Sequence, residues 1–150
     1  MFKFRLDFLL RFRRQLEELA KYELAERVRR ANLIETRLLE LRERSGQLVE
    51  SMQRKADDPI PAPLFSMYKD YLDQLRREKE AVANELTRAE DQVEKQRQAL
   101  VQASVERKVI DRLKERQKQA YMENEARQQQ GILDELAALA RSRRIHEEYN

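Results

Sequence analysis

The sequence predicts an all-α protein, a long antiparallel two-helix coiled-coil hairpin with an overhanging C-terminal helix. Three observations carry that expectation. Charged residues make up 39% of the 150-residue chain and there are only 2 Gly, whereas a compact β or α/β domain needs glycine at its turns and averages roughly 7%. Apolar residues recur at alternating three- and four-residue steps on both sides of the chain's middle, the heptad spacing that draws one stripe along a helix. All 3 Pro fall within residues 57 to 63, so a single break separates two otherwise uninterrupted patterns. Residues 1–150 are therefore read as one coiled-coil hairpin.

The first helix is expected over about residues 4–54. Its stripe runs Leu6, Leu10, Arg13, Glu17, Ala20, Leu24, Arg27, Ala31, Ile34, Leu38, Leu41, Ser45, Leu48, Met52, and ten of these fourteen positions are apolar. The polar residues at Arg13 and Glu17 suggest a phase slip, because Leu9, Phe12, Leu16 and Leu19 take up the same spacing there. The stretch Asp57-Asp58-Pro59-Ile60-Pro61-Ala62-Pro63 follows as a stiff turn over 57–63, since each proline lacks an N–H and biases its predecessor toward extended backbone. Pro63 suits the first position of the next helix.

The second helix is expected over about residues 64–145. Its stripe runs Phe65, Tyr68, Leu72, Leu75, Lys79, Val82, Leu86, Ala89, Val93, Gln96, Leu100, Ala103, Arg107, Ile110, with eleven of fourteen apolar. Two such helices joined by a short link fold back on each other so that both stripes are covered. Pairing outward from the link places Met52 near Phe65 and Leu6 near Ile110 or Asp111, leaving roughly 45–50 Å of the second helix without an intramolecular partner. In this overhang the stripe fades past Leu113, and Ile132, Leu133, Leu136 and Leu139 then form a second apolar patch. A helix polar all round has no intrinsic reason to be stable. The stretch from Lys114 to Gln130 therefore either frays or is stabilised in the polar cavity of another protein. Gly131 costs its helix about 1 kcal/mol relative to alanine and is a candidate kink.

Composition excludes most chemistry. With no Cys there is no disulfide, thiolate nucleophile or Cys-based zinc site,. The single histidine, His146, lies in a charged tail, no glycine-rich loop cradles a phosphate, and the carboxylates read as i to i+4 partners of Arg and Lys on solvated faces. No catalytic residue, metal or cofactor is expected. Apolar runs fall far short of the ~20 residues that span a bilayer, and the N-terminus lacks the pattern of a signal peptide. A cytoplasmic protein is expected, with at most peripheral membrane association.

The candidate functional residues concern docking. Phe4, Phe8 and Phe12, with Leu6, Leu9, Leu10 and Leu16, sweep a helical arc far wider than the ~100° stripe that one opposing helix covers. This arc either plugs the open end of the hairpin or docks another protein. A basic amphipathic segment on a membrane is weakened by Arg5 and Arg13 inside the arc. Residues 1 to 15 carry five basic groups against Asp7, residues 105 to 118 carry six against three, and Arg141, Arg143 and Arg144 form a third cluster. An apolar patch rimmed by arginines has the composition of a protein-docking surface. Phe4, Phe8, Phe12, Arg107, Arg112, Arg116, Tyr121, Leu133 and Leu136 are the residues expected to bind a partner. No nucleic-acid motif accompanies the basic charge.

The opening Phe2-Lys3-Phe4-Arg5-Leu6, with Leu9-Leu10, Arg13, Glu17, Glu18, Ala20, Leu24 and Ala25, resembles the start of the flagellar FliJ family. The far segment is similar as well: Arg107-Lys108, Leu113, Glu115-Arg116, Tyr121, Glu125, Gln130 and Leu133-Asp134-Glu135-Leu136-Ala137. Gln129 departs from the acidic residue expected there. The resemblance covers most of the chain. It implies a non-enzymatic stalk component of the flagellar type III export apparatus, lying at the cytoplasmic face of the inner membrane. Its implied partners are the hexameric export ATPase, the cytoplasmic domain of the export gate, and export chaperones. An injectisome-type secretion stalk, a self-associating structural coiled coil and a basic nucleic-acid-binding hairpin are the rival readings.

Overall fold

Among the described residues the chain is helical on both sides of its proline-containing stretch. A computed structural model describes residues 1–55 and 60–149. Among them are two long α-helices that pack against each other, and no strand: α1 spans Asp7–Lys55 and α2 spans Ala62–Glu148. Pro61 sits before α2, and its carbonyl accepts the backbone N–H groups of Leu64 at 3.0 Å and Phe65 at 3.1 Å. Ala62 and Pro63 thus occupy the first two helical positions, where a missing proline N–H costs nothing. The helix begins two residues earlier than the expected 64. Of the expected turn at 57–63, residues 57–59 lie outside the described residues.

The chain forms two compact units, one of Leu16–Ala103 and the other of Met1–Gln15 with Ser104–Asn150. In the first, the apolar stripes of α1 and α2 meet in a core of Leu38, Leu41, Leu75 and Val82, with Ile34, Leu48, Ala83 and Leu86 packed against it. A leucine taken fully out of water contributes about 1.5–3 kcal/mol, and the half-buried neighbours contribute less. This is a thin seam, one layer of side chains deep.

Polar residues on the seam meet polar partners. Gln96, itself buried, donates Nε2 to the carbonyl of Ala20 at 3.2 Å. Lys79 Nζ donates to Ser45 Oγ at 3.2 Å. Arg27 Nη1 donates to the carbonyl and Oε1 of Gln92 at 3.2 and 3.3 Å. A polar residue at a seam position lowers stability but penalises any shifted pairing, because a shift would leave it against apolar carbon. The partner numbers fall from Gln96 to Lys79 as those on α1 rise from Ala20 to Ser45.

The expected phase slip near Arg13 and Glu17 does not occur. Arg13 is half-buried and Glu17 buried, whereas Phe12 and Leu19 are 52% and 53% exposed. Every one of the fourteen positions read as the α1 stripe is buried or half-buried. The stripe holds its phase because its polar members find partners: Arg13 pairs with Glu106, and Lys21 Nζ lies 3.8 Å from Glu17 Oε1. On α2 the one exception is Phe65, which is half exposed. Gly131 leaves α2 unbroken, with no left-handed backbone angle.

Candidate protein-docking site

The unit of Met1–Gln15 with Ser104–Asn150 holds all the residues expected to bind a partner. Its N-terminus departs from expectation. The helix was expected from about residue 4, but Met1 to Phe4 are not helical and α1 starts at Asp7. The alternation of apolar and polar residues in Phe2-Lys3-Phe4-Arg5-Leu6 has a period of two, which favours extended backbone over helix. Phe4 is buried. Its carbonyl accepts the Asp7 N–H at 3.2 Å, and the Leu6 carbonyl accepts that of Leu10 at 3.0 Å, so the chain turns into the helix there. Asp7 in the first turn is favourable at the positive end of the helix dipole,.

The arm ahead of α1 lies against α2. The Phe2 and Tyr121 rings are 5.8 Å apart and tilted by 45°. Lys114 Nζ stands 6.0 Å from the centre of the Phe4 ring and donates to Asp7 Oδ1 at 3.0 Å. The Met1 amino group donates to the Tyr121 hydroxyl at 2.9 Å, and that hydroxyl donates to Glu125 Oε1 at 3.3 Å. A tilted aromatic pair is worth about 0.5–1.5 kcal/mol beyond its burial, and a cation at this distance from a ring about 0.5–1 kcal/mol when exposed. Buried Phe4 is thus the anchor of the arm and half-buried Phe2 its weaker tip.

Ion pairs flank the arm. Asp111 accepts from Arg14 Nη2 at 3.2 Å and also pairs with Arg107. Asp7 faces Arg11 Nε at 3.5 Å as well as Lys114. The hydrogen bond from Lys114, aided by the nearby charges of Lys114, Arg11 and Arg14 and opposed by partial desolvation, holds the Asp7 carboxyl below the usual carboxylate range. Partial desolvation, then the Glu125 carboxylate, pushes the Tyr121 hydroxyl above the usual phenol range.

The nine expected residues separate into three groups. Phe4, Arg107 and Tyr121 are engaged within the chain, through the contacts just described. Phe8 and Phe12 are 66% and 52% exposed, and Arg112 and Arg116 are exposed beside Val109 and Leu113 on α2. Leu133 and Leu136 are exposed with Ile132 and Leu139 on the far part of α2. Every described residue from Met122 to Tyr149 is exposed, although the helix continues to Glu148. Phe2, Asp7, Asp111 and Lys114 organise the site and were missed. In the sequence Asp7 and Lys114 read as ordinary solvated charges, and the helical arc from Phe4 onward masks the short alternation that begins at Phe2.

Among the described residues no group of three or more metal-ligating side chains comes together, and no helix is long and apolar enough to cross a membrane. What the unit offers is apolar surface, arginine and an uncovered helix.

In comparison with known proteins, the sequence model of the family described as Flagellar FliJ protein matches residues 2–145. No curated protein and no solved structure matches the chain.

Proposed function

The chain belongs to the flagellar FliJ protein family, and from that premise we propose that it is a non-enzymatic central-stalk component of the flagellar type III export apparatus. It binds the hexameric export ATPase and the cytoplasmic domain of the export gate, with export chaperones as further partners. It works at the cytoplasmic face of the inner membrane. In this reading residues 1–150 are one antiparallel hairpin, and α2 beyond Tyr121 overhangs it.

The observation that carries the reading is the far part of α2: a helix from Met122 to Glu148 whose described side chains are all exposed. An isolated helix in water gains little from propensity alone and is stabilised chiefly by burying an apolar face. Ile132, Leu133, Leu136 and Leu139 supply such a face, and an ATPase ring supplies the surroundings that cover it. The falling pair order, Asp7 with Lys114 and Arg13 with Glu106 in one unit, Ala20 with Gln96 and Ser45 with Lys79 in the other, supports antiparallel pairing. Phe8, Phe12, Arg112 and Arg116 add an apolar and cationic surface to the ATPase-facing end, and the other end remains for the export gate.

The experiment is direct. Purified chain added to the cognate export ATPase raises its rate of ATP hydrolysis in a saturable way. An ATPase whose rate and assembly state are indifferent to the chain would contradict the reading.

A further inference from the structure

Lys114, Tyr121, Ile132 and Leu139 are separated by seven, eleven and seven residues. Each step brings a helix back to within about 20° of the same direction, so the four share one face of α2. The N-terminal arm covers the start of that face, with Asp7 and Phe4 at Lys114 and Phe2 at Tyr121. Farther along, Ile132 and Leu139 are 58% and 62% exposed. The covered and uncovered parts lie along one line of the helix, with polar Gln128 between them, and Phe2 marks the end of the covered part. From Ile132 back to Tyr121 is about 16 Å along the axis, a distance that three turns of a partner helix span.

We propose that Phe2 is a displaceable strap over Tyr121, and that the export ATPase removes it when one of its helices seats along this face of α2. The inference rests on the ATPase reading above and adds a regulation of that site. Three features suit the arm to this role. It is not helical, so lifting Phe2 unwinds no turn of α1. Phe4 is buried, so the arm stays anchored when its tip is lifted. The tip is held by one tilted ring pair and by the hydrogen bond of the Met1 amino group to the Tyr121 hydroxyl, whereas a partner helix covering Tyr121 together with Ile132 and Leu139 makes a longer contact. In the free chain the strap shields Tyr121. On binding, Phe2 gives way, so part of the interaction energy is spent on opening it.

The test is a mutant cycle read as affinity for the cognate export ATPase, with far-UV circular dichroism verifying that each chain is equally helical. Phe2→Ala removes the competitor and tightens binding by roughly 2- to 12-fold, the range that an aromatic pair corresponds to. Tyr121→Ala weakens binding. In the double variant the Phe2→Ala effect disappears, because the strap has lost its target. Weaker or unchanged binding by Phe2→Ala would overturn the strap, as would an undiminished effect of Phe2→Ala in the Tyr121→Ala background. If the wild-type chain does not bind the ATPase at all, the ATPase reading falls and the strap falls with it. Binding by wild type without a Phe2 effect removes the strap alone.

Discussion

Replacing Leu75 with alanine tests whether the thin seam between the helices is the source of stability. Leu75 is 2% exposed and packs in the cluster with Leu38, Leu41 and Val82. The change deletes three carbon groups, and at about 0.8 kcal/mol for each buried group the transfer loss is about 2.4 kcal/mol. In a closed core the residual cavity adds to this and raises the total toward 5 kcal/mol. Here several walls of the cluster, among them Ile34, Leu48 and Leu86, are only half-buried, so side chains and water relax into the space. The expected loss is therefore about 2–3 kcal/mol. Leu38→Ala should behave similarly and half-buried Leu86→Ala less severely. Leu133→Ala, at a side chain 59% exposed, should change stability by under about 0.5 kcal/mol. Urea denaturation followed by circular dichroism at a helical band measures both. A loss below about 1 kcal/mol at Leu75, or equal losses at Leu75 and Leu133, would refute the seam as the core.

Three further outcomes follow from the same geometry. Gly46→Ala should raise the denaturation midpoint, by about 0.5–1 kcal/mol in stability, because the helical backbone there is ordinary and an added Cβ meets nothing within 4 Å,; a loss would show that the open space is not open. Gln96→Leu should be neutral or stabilising by up to about 1 kcal/mol, since it replaces a buried amide with carbon of similar volume, and a large loss in the same denaturation assay would mean that its bond to Ala20 contributes more than a neutral hydrogen bond. The Asp7 carboxyl is lowered by Lys114, so its ionised form stabilises the start of α1 above about pH 4, and that contribution disappears as pH falls through the lowered pKa,. In an NMR titration Lys114→Gln should return Asp7 toward the ordinary range, and an unmoved titration would contradict the pairing.

The helices and their seam were legible because heptad spacing constrains every turn, and the structure follows it even through the polar positions. Glu17 shows the strength of that constraint: a charged residue on the stripe suggests a shift of the helix, yet rotating the stripe would expose Leu10 and Ala20 to rescue one carboxylate. The arm was hidden for a different reason. Phe4 fits a helical arc with Phe8 and Phe12 as well as an extended segment with Phe2 and Leu6, and only contacts with Lys114 and Tyr121, more than a hundred residues away in sequence, separate the two. Leu133 and Leu136 were legible as an apolar patch, since with Ile132 and Leu139 they follow a long polar stretch. Their exposure is a matter of register, which sequence spacing constrains only through the pairing it implies.

The most direct measurement compares two chains, the full one and one ending at Gln119, in their effect on ATP hydrolysis by the cognate export ATPase. The full chain should bind and stimulate in a saturable way. The shortened chain keeps the seam of Leu38, Leu41, Leu75 and Val82 and the pairs at Arg13 and Asp7, so it should remain helical, but it should lose most of the binding and stimulation. Full stimulation by the shortened chain would contradict the assignment of the far part of α2 to the ATPase.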